Sequence, residues 1–226
     1  MIILSSVSKI FGEKKALDKI SFKIKEGEIV GFLGPNGAGK TTTMRLILGY
    51  LKPTDGKISV GGLDPIEQRV EVLKKIGYLP ENNPLYGEMK VVEYLNFIAS
   101  AKNEKNWQKI AQTVGLSEVL NKKIEELSYG FKKRVGLTTS LLGNPNFLIL
   151  DEPTSGLDPL EQEKIRDLIK KLGQKKTIIF STHILSEAEK VANRLIIINK
   201  GKIIYDGKKP KEKGGVEKLF KSKIKN

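Results

Sequence analysis

Apolar and polar residues alternate in the N-terminal part of the chain: Ile20, Phe22 and Ile24 share one side, and Ser21, Lys23 and Lys25 the other. A period of two predicts half-buried strands paired antiparallel. Beyond a turn at Glu26-Gly27 the pattern becomes a nearly unbroken apolar run, Glu28-Ile29-Val30-Gly31-Phe32-Leu33, which fits a strand buried on both faces. A Gly-rich loop follows, then a helix over about 40–49. Pro53-Thr54-Asp55-Gly56 and Gly61-Gly62 read as turns around a strand at 57–60, and a short strand at 76–79 ends at Pro80. Between 82 and 127 Val91, Val92, Leu95 and Ile98 recur at helical spacing, and Ile110, Val114 and Val119 do so less regularly. Beyond them the pattern predicts a helix at 128–142, a buried strand at 147–150, a helix at 159–172 and a strand at 177–180. A helix at 185–192 and strands at 194–198 and 202–205 complete it.

This alternation of strand and helix predicts an α/β fold: a doubly wound, mostly parallel sheet with an N-terminal antiparallel β subdomain and an inserted helical lobe. No repeat or Pro-rich linker divides the chain, so 1–226 reads as a single domain. Its core spans 1–81 and 128–207, the helical lobe 82–127, and a Lys-rich tail 208–226.

Composition narrows the chemistry. Cys is absent and His183 is the one histidine, which excludes disulfides, thiolate metal sites, a catalytic thiol and a histidine-rich metal centre. No apolar run approaches the roughly 20 residues that span a bilayer. The first residues lack the basic and apolar regions of a signal peptide, so the expected compartment is the cytoplasm. The net charge is +14, and half of it falls from Lys200 onward, where ten Lys face Asp206, Glu212 and Glu217. With 35 Lys against 5 Arg and few aromatics near the tail, the excess reads as a solvated surface; nucleic acid is not an expected partner.

The strongest chemical signal is Gly34-Pro35-Asn36-Gly37-Ala38-Gly39-Lys40-Thr41, followed by Thr42. It matches the phosphate-binding P-loop. Glycines let backbone N–H groups turn toward phosphate oxygens, and the helix that follows adds partial positive charge. Lys40 supplies a full charge to the outer phosphates, and Thr41 offers a hydroxyl to Mg²⁺. The second signal is Phe147-Leu148-Ile149-Leu150-Asp151-Glu152, a buried strand ending in two carboxylates. Ligands bind at that edge of open parallel sheets. Asp151 can hold Mg²⁺ through water, and Glu152 can orient the water that attacks a γ-phosphate.

With these two motifs in this order, the chain resembles the ATP-binding cassette (ABC) ATPases. Glu152-Pro153-Thr154-Ser155-Gly156-Leu157-Asp158-Pro159 is similar to their stretch from the Walker B strand to the D-loop. Leu127-Ser128-Tyr129-Gly130-Phe131 resembles the signature motif, Ser181-Thr182-His183 the switch histidine, and Phe11-Gly12 the aromatic loop that stacks on adenine. The resemblance covers about 2–207. Ile76-Gly77-Tyr78-Leu79-Pro80-Glu81 and Asn83-Pro84-Leu85-Tyr86 resemble the branch of gliding-motility, drug-resistance and copper-maturation exporters.

The resemblance implies ATP and Mg²⁺ as cofactors, Lys40, Glu152 and His183 as catalytic groups, and a separate integral membrane permease. It also implies an ATP-dependent homodimer, or a heterodimer with a related subunit, in which Ser128 and Gly130 meet the γ-phosphate held by the other copy. Two positions depart from the family pattern. Glu81 stands where a Gln usually meets the metal, and Tyr129 and Phe131 replace the usual Gly and Gln. Leu85, Tyr86 and Met89 are the expected apolar contacts for the membrane subunit. The alternative is a regulator or nucleic-acid-associated ATPase of the same family. Such proteins carry tandem cassettes, coiled-coil insertions or zinc motifs; this chain has one cassette, no heptad insertion and no Cys. A GTPase lacks support because no Asp follows Asn199-Lys200-Gly201.

Overall fold

The computed structural model describes residues 1–224. Its elements run β1 (Ile2–Phe11), β2 (Lys14–Ile24), β3 (Ile29–Leu33), α1 (Lys40–Ile47), β4 (Asp55–Val60), α2 (Arg69–Lys75) and β5 (Ile76–Leu79). Then come α3 (Val91–Ala101), α4 (Trp107–Val114), α5 (Tyr129–Leu141), β6 (Phe147–Asp151), α6 (Pro159–Gly173) and β7 (Thr177–Thr182). The chain closes with α7 (Leu185–Val191), β8 (Arg194–Asn199), β9 (Lys202–Lys208) and α8 (Gly215–Ile224).

Two sheets form. The smaller is antiparallel, in the order β2-β1-β4. Pairs such as Ile2↔Ile24 and Leu4↔Phe22 put every second apolar residue on one face, as the alternation requires. The larger has the order β5-β6-β7-β3-β8-β9. Its first five strands are parallel, and β9 returns antiparallel to β8. Every residue of β6 is buried, which explains its continuous apolar run. The α/β class and the antiparallel subdomain are as expected from the sequence.

Three apolar clusters hold these layers. One joins the small sheet and α1 to one face of the large sheet, with Phe22 tilted against Phe32 at 5.8 Å. The second lies on the other face, where Leu148, Phe180 and Leu195 meet residues of α5, α6 and α7. The third belongs to α3, α4 and their flanks, around Leu95, Trp107 and Leu116. The helices between β5 and α5 therefore carry their own core.

Two expectations are corrected. The stretch 208–226 is not simply a solvated tail. Lys208 ends β9, and α8 buries Val216 and packs Leu219 and Phe220 against the second cluster. These apolar groups recur at i, i+3 and i+4, one helical face, with the lysines around them. Lys225 and Asn226 lie outside the described residues. The second correction concerns Leu85 and Met89, which are partly buried against the lobe's own core. Only Tyr86 stays open, 60% exposed and edge-on to Tyr94.

Candidate active site

The sheet order places three chemically distinct loops side by side. In β6-β7-β3, the strands end respectively at Asp151, Thr182 and Leu33. The Asp151-Glu152 pair, His183 and the loop 34–41 therefore emerge at one carboxyl edge, where open α/β sheets bind ligands. Asp151, Glu152, His183 and, from the loop, Asn36, Gly37, Gly39, Lys40 and Thr41 line a cleft of about 750 Å³ with Phe11, Thr42 and Glu81, while Gly34, Pro35 and Ala38 do not border it.

The loop is shaped by its backbone. Gly39 adopts φ +113°, and a Cβ there would stand 2.6 Å from Leu17, so only glycine fits. Helix α1 starts at the next residue, and the N–H groups of its first turn have no intrahelical acceptor. Lys40 is 7% exposed, and its Nζ donates to the Gly34 carbonyl at 2.8 Å. The same ammonium lies 3.7 Å from Glu152 Oε1.

Thr41 Oγ1 donates to Asp151 Oδ2 at 3.1 Å. A hydroxyl and a carboxylate converging at one point suit Mg²⁺, which takes hard oxygens, needs few from the protein and completes its shell with water and phosphate. No group of three or more His, Cys, Asp or Glu that could hold a metal occurs among the described residues. Glu81 lines the same cleft but makes no side-chain hydrogen bond to this pair among the described residues. Its carbonyl, not its carboxylate, is engaged, by Lys133 at 2.7 Å.

Glu152 is 5% exposed and has φ +49°, a left-handed backbone uncommon outside glycine. Its N–H donates to Ser181 Oγ at 3.1 Å and to the Ser181 carbonyl at 3.2 Å. Its Oε2 lies 3.0 Å from His183 Nδ1. The carboxylate is thus held between Lys40 and His183 and aimed along the edge of the cleft. Strain of this kind at a functional residue persists when its surroundings over-determine it.

Phe11, at the end of β1, is 45% exposed at the cleft with Lys9 Nζ 5.0 Å from its ring centroid. Ser128 caps α5, its hydroxyl accepting from the Phe131 N–H at 3.4 Å. Neither Ser128 nor Gly130 borders the cleft.

The sequence reading missed several cleft and supporting residues. Lys14, Lys15 and Lys200 line the cleft, and with Lys40 they set four ammonium groups against Glu81, Asp151 and Glu152. Ser181 was noted only as part of a motif, yet its hydroxyl donates to Asp151 Oδ1 as well as accepting from Glu152. Thr154 and Thr182 both donate to buried Glu187 behind the site. Thr154, Ser181 and Thr182 fall inside the Glu152–Pro159 and Ser181–His183 motifs, but nothing local says which acid each hydroxyl meets; the lysines stand only as neighbours of Phe11 and of the Asn199-Lys200-Gly201 turn.

A Gly-rich loop opening a helix at the carboxyl edge of a parallel sheet, with an acidic pair on the next strand but one, defines a P-loop nucleoside-triphosphate hydrolase. Within that class, residues 17–155 match the family described as ABC transporter. The chain is 42% identical over 214 residues to the uncharacterized ABC transporter ATP-binding protein MJ1023 of Methanocaldococcus jannaschii, which spans 92% of this chain and 77% of that protein. It is 38% identical over 213 residues to the bacitracin transport ATP-binding protein BcrA of Bacillus licheniformis, spanning 91% and 69%. Its fold matches the dimeric structure of the bacterial ABC transporter cassette MJ0796 with a TM-score of 0.83, at 29% identity and over 92% of this chain and 98% of that one. A post-hydrolysis state of that cassette, bound to ADP and Pi, matches with a TM-score of 0.82 at 28% identity, over the same shares. The chain belongs to the ABC transporter family, as a transport-coupled ATPase that binds ATP. No helix among the described residues is long and apolar enough to cross a membrane.

Proposed function

We propose that the chain binds ATP with Mg²⁺ in the cleft and hydrolyses it at the interface with a second cassette. The work drives transport through a separate membrane permease, at whose cytoplasmic side the chain sits. The observation that carries this reading is Glu152, buried and held between Lys40 and His183 beside the Thr41–Asp151 pair.

The loop N–H groups and the start of α1 receive the phosphates, and Phe11 offers its ring to the adenine. Lys14, Lys15 and Lys200 add positive charge around a strongly anionic ligand. Thr41 and Asp151, with Glu81 at the cleft wall, would hold the metal, which when bound neutralises charge on the phosphate oxygens. Lys40 then exchanges its contact with Glu152 for the outer phosphates. That exchange frees one carboxylate oxygen to orient water and take its proton, while His183 keeps the other in place.

Ser128 and Gly130 lie outside this cleft, so the helix end they form is offered to the nucleotide of the other copy. A head-to-tail pair completes both sites. Tyr86 is an exposed apolar group at the lobe that would meet the membrane subunit.

The test is Glu152→Gln. The variant keeps the shape of the site and loses the charge that activates water. We expect it to bind ATP, to accumulate as a dimer on sizing when ATP is added, and to hydrolyse none. Turnover at the native rate would remove Glu152 from its role, and a monomer at saturating ATP would remove the dimer.

A further inference from the structure

Lys133 is a buried charge that the mechanism above does not use. It lies in the first half of α5 and is 2% exposed. Its Nζ donates to the Glu81 carbonyl at 2.7 Å and the Glu152 carbonyl at 3.5 Å, and sits 5.6 Å from the Tyr129 ring centroid. A lysine is almost never fully buried unless its charge is compensated. Burial holds its pKa below the usual lysine value, while the carboxylates of Glu81, Asp151 and Glu152 oppose that fall.

The three segments this one ammonium touches have different duties. Glu81 lies just past β5, where the chain enters the helical lobe. Glu152 carries the carboxylate proposed as the base and has a left-handed backbone with φ +49°. Helix α5 starts at the Ser128 cap. A second bond supports the same junction: Asn83 Nδ2 donates to the Lys132 carbonyl at 3.0 Å. Residues 81–83 and the first turn of α5 are therefore fastened twice, and Lys133 extends the fastening to the peptide of Glu152.

We infer that Lys133 is a positioning residue for hydrolysis, a strut that ties the aim of Glu152 to the position of the lobe entrance and the signature helix. The inference rests on the reading of Glu152 as the base. Lys133 touches no reacting atom; it acts by holding the carbonyl of the residue whose side chain does. Misplacing a catalytic group by about 1 Å costs on the order of 100-fold in rate. Nucleotide affinity, set by the loop and Lys40, is separate from this strut.

The experiment is steady-state ATP hydrolysis by the full chain carrying Lys133→Met, Lys133→Arg or Glu152→Gln, with thermal unfolding measured beside it. Lys133→Met keeps the length and apolar stem and removes the charge and the donor. We expect kcat to fall roughly 10- to 100-fold, with KM for ATP within about twofold of native. Lys133→Arg, which keeps charge and donors, should recover most of the rate. If Lys133→Met does not fold, Lys133→Gln is compared with Lys133→Arg in its place. A native kcat in the folded Met variant overturns the inference. So does a KM that rises as far as kcat falls, or an Arg variant that folds and is as slow as Met. An inactive Glu152→Gln beside a fully active Lys133→Met sinks the strut alone; an active Glu152→Gln sinks the base on which it rests.

Discussion

Ser181 tests whether the acidic edge of the site is held by the neighbouring strand. Its hydroxyl is fully buried, donates to Asp151 Oδ1 and accepts from the Glu152 N–H at 3.1 Å. In Ser181→Ala the Glu152 N–H keeps a partner, because it also reaches the Ser181 carbonyl at 3.2 Å. The loss therefore falls on Asp151, a carboxylate 1% exposed that is left with Thr41 as its side-chain donor. A hydrogen bond to a charged group contributes about 1.5–3 kcal/mol, so we take about 2 kcal/mol as the expected destabilisation. For a chain of this size that is a fall of about 4–8 °C in unfolding midpoint. The assay is thermal unfolding followed by circular dichroism, without nucleotide or divalent metal, so that binding does not mask the difference. A midpoint within 1 °C of native would refute the claim that this hydroxyl carries the carboxylate.

Lys40→Ala should weaken ATP binding by roughly 10- to 100-fold, read by titration calorimetry, because one charge-assisted phosphate contact is lost. Gly77→Ala should lower the unfolding midpoint by at least about 6 °C: its Cβ would meet the Ser140 carbonyl at 1.8 Å, and backbone cannot step aside as a side chain can. Glu161 is held below the usual carboxylate range by its bond to Lys164 and then by Arg134 at 2.6 Å, against a partial opposing effect of burial. Its folded pKa is the depressed one, so its contribution is present above the unfolded value of 4.5 and is lost as pH falls through the folded value. Glu161→Gln should therefore cost up to about 1 kcal/mol at pH 7 in urea unfolding and nothing at a pH well below that value.

What could be read from the chain followed what was local. Phe147 to Leu150 announced a strand buried on both faces, and the spacing of Gly34, Gly39 and Lys40 announced a phosphate loop, because each pattern is complete within a few residues. Helix α8 was missed for the opposite reason. Val216, Leu219 and Phe220 have the right period, but five lysines from 211 to 223 swamp it. Helix α2 is seven residues long and buries only Val72, too little to leave a periodic trace. Lys133 sits in a run of two lysines and an arginine that reads as a wet surface; nothing local says that this one ammonium points under the acidic pair.

Chain order also conceals which loops become neighbours. The phosphate loop, the acidic pair and His183 follow β3, β6 and β7, and read along the chain the acidic pair and His183 stand closest. In the sheet β7 lies between the other two, so its end is the plank on which both rest. This is why Ser181 reaches Asp151 and the Glu152 backbone, and His183 reaches the Glu152 side chain. A strand that is middle in space and last in sequence couples the group that would hold the metal to the group that would activate water. The Ser181 hydroxyl can therefore be tested for stability and the His183 imidazole, just past the strand, for turnover, and the two effects should separate. Ser181→Ala acts on the unfolding midpoint before any nucleotide is present. His183→Ala removes only a 49% exposed side chain from the cleft rim, and should leave the midpoint unchanged while lowering kcat. If both variants lose stability equally, the division of labour along β7 is wrong, and the edge of the sheet acts as one structural unit.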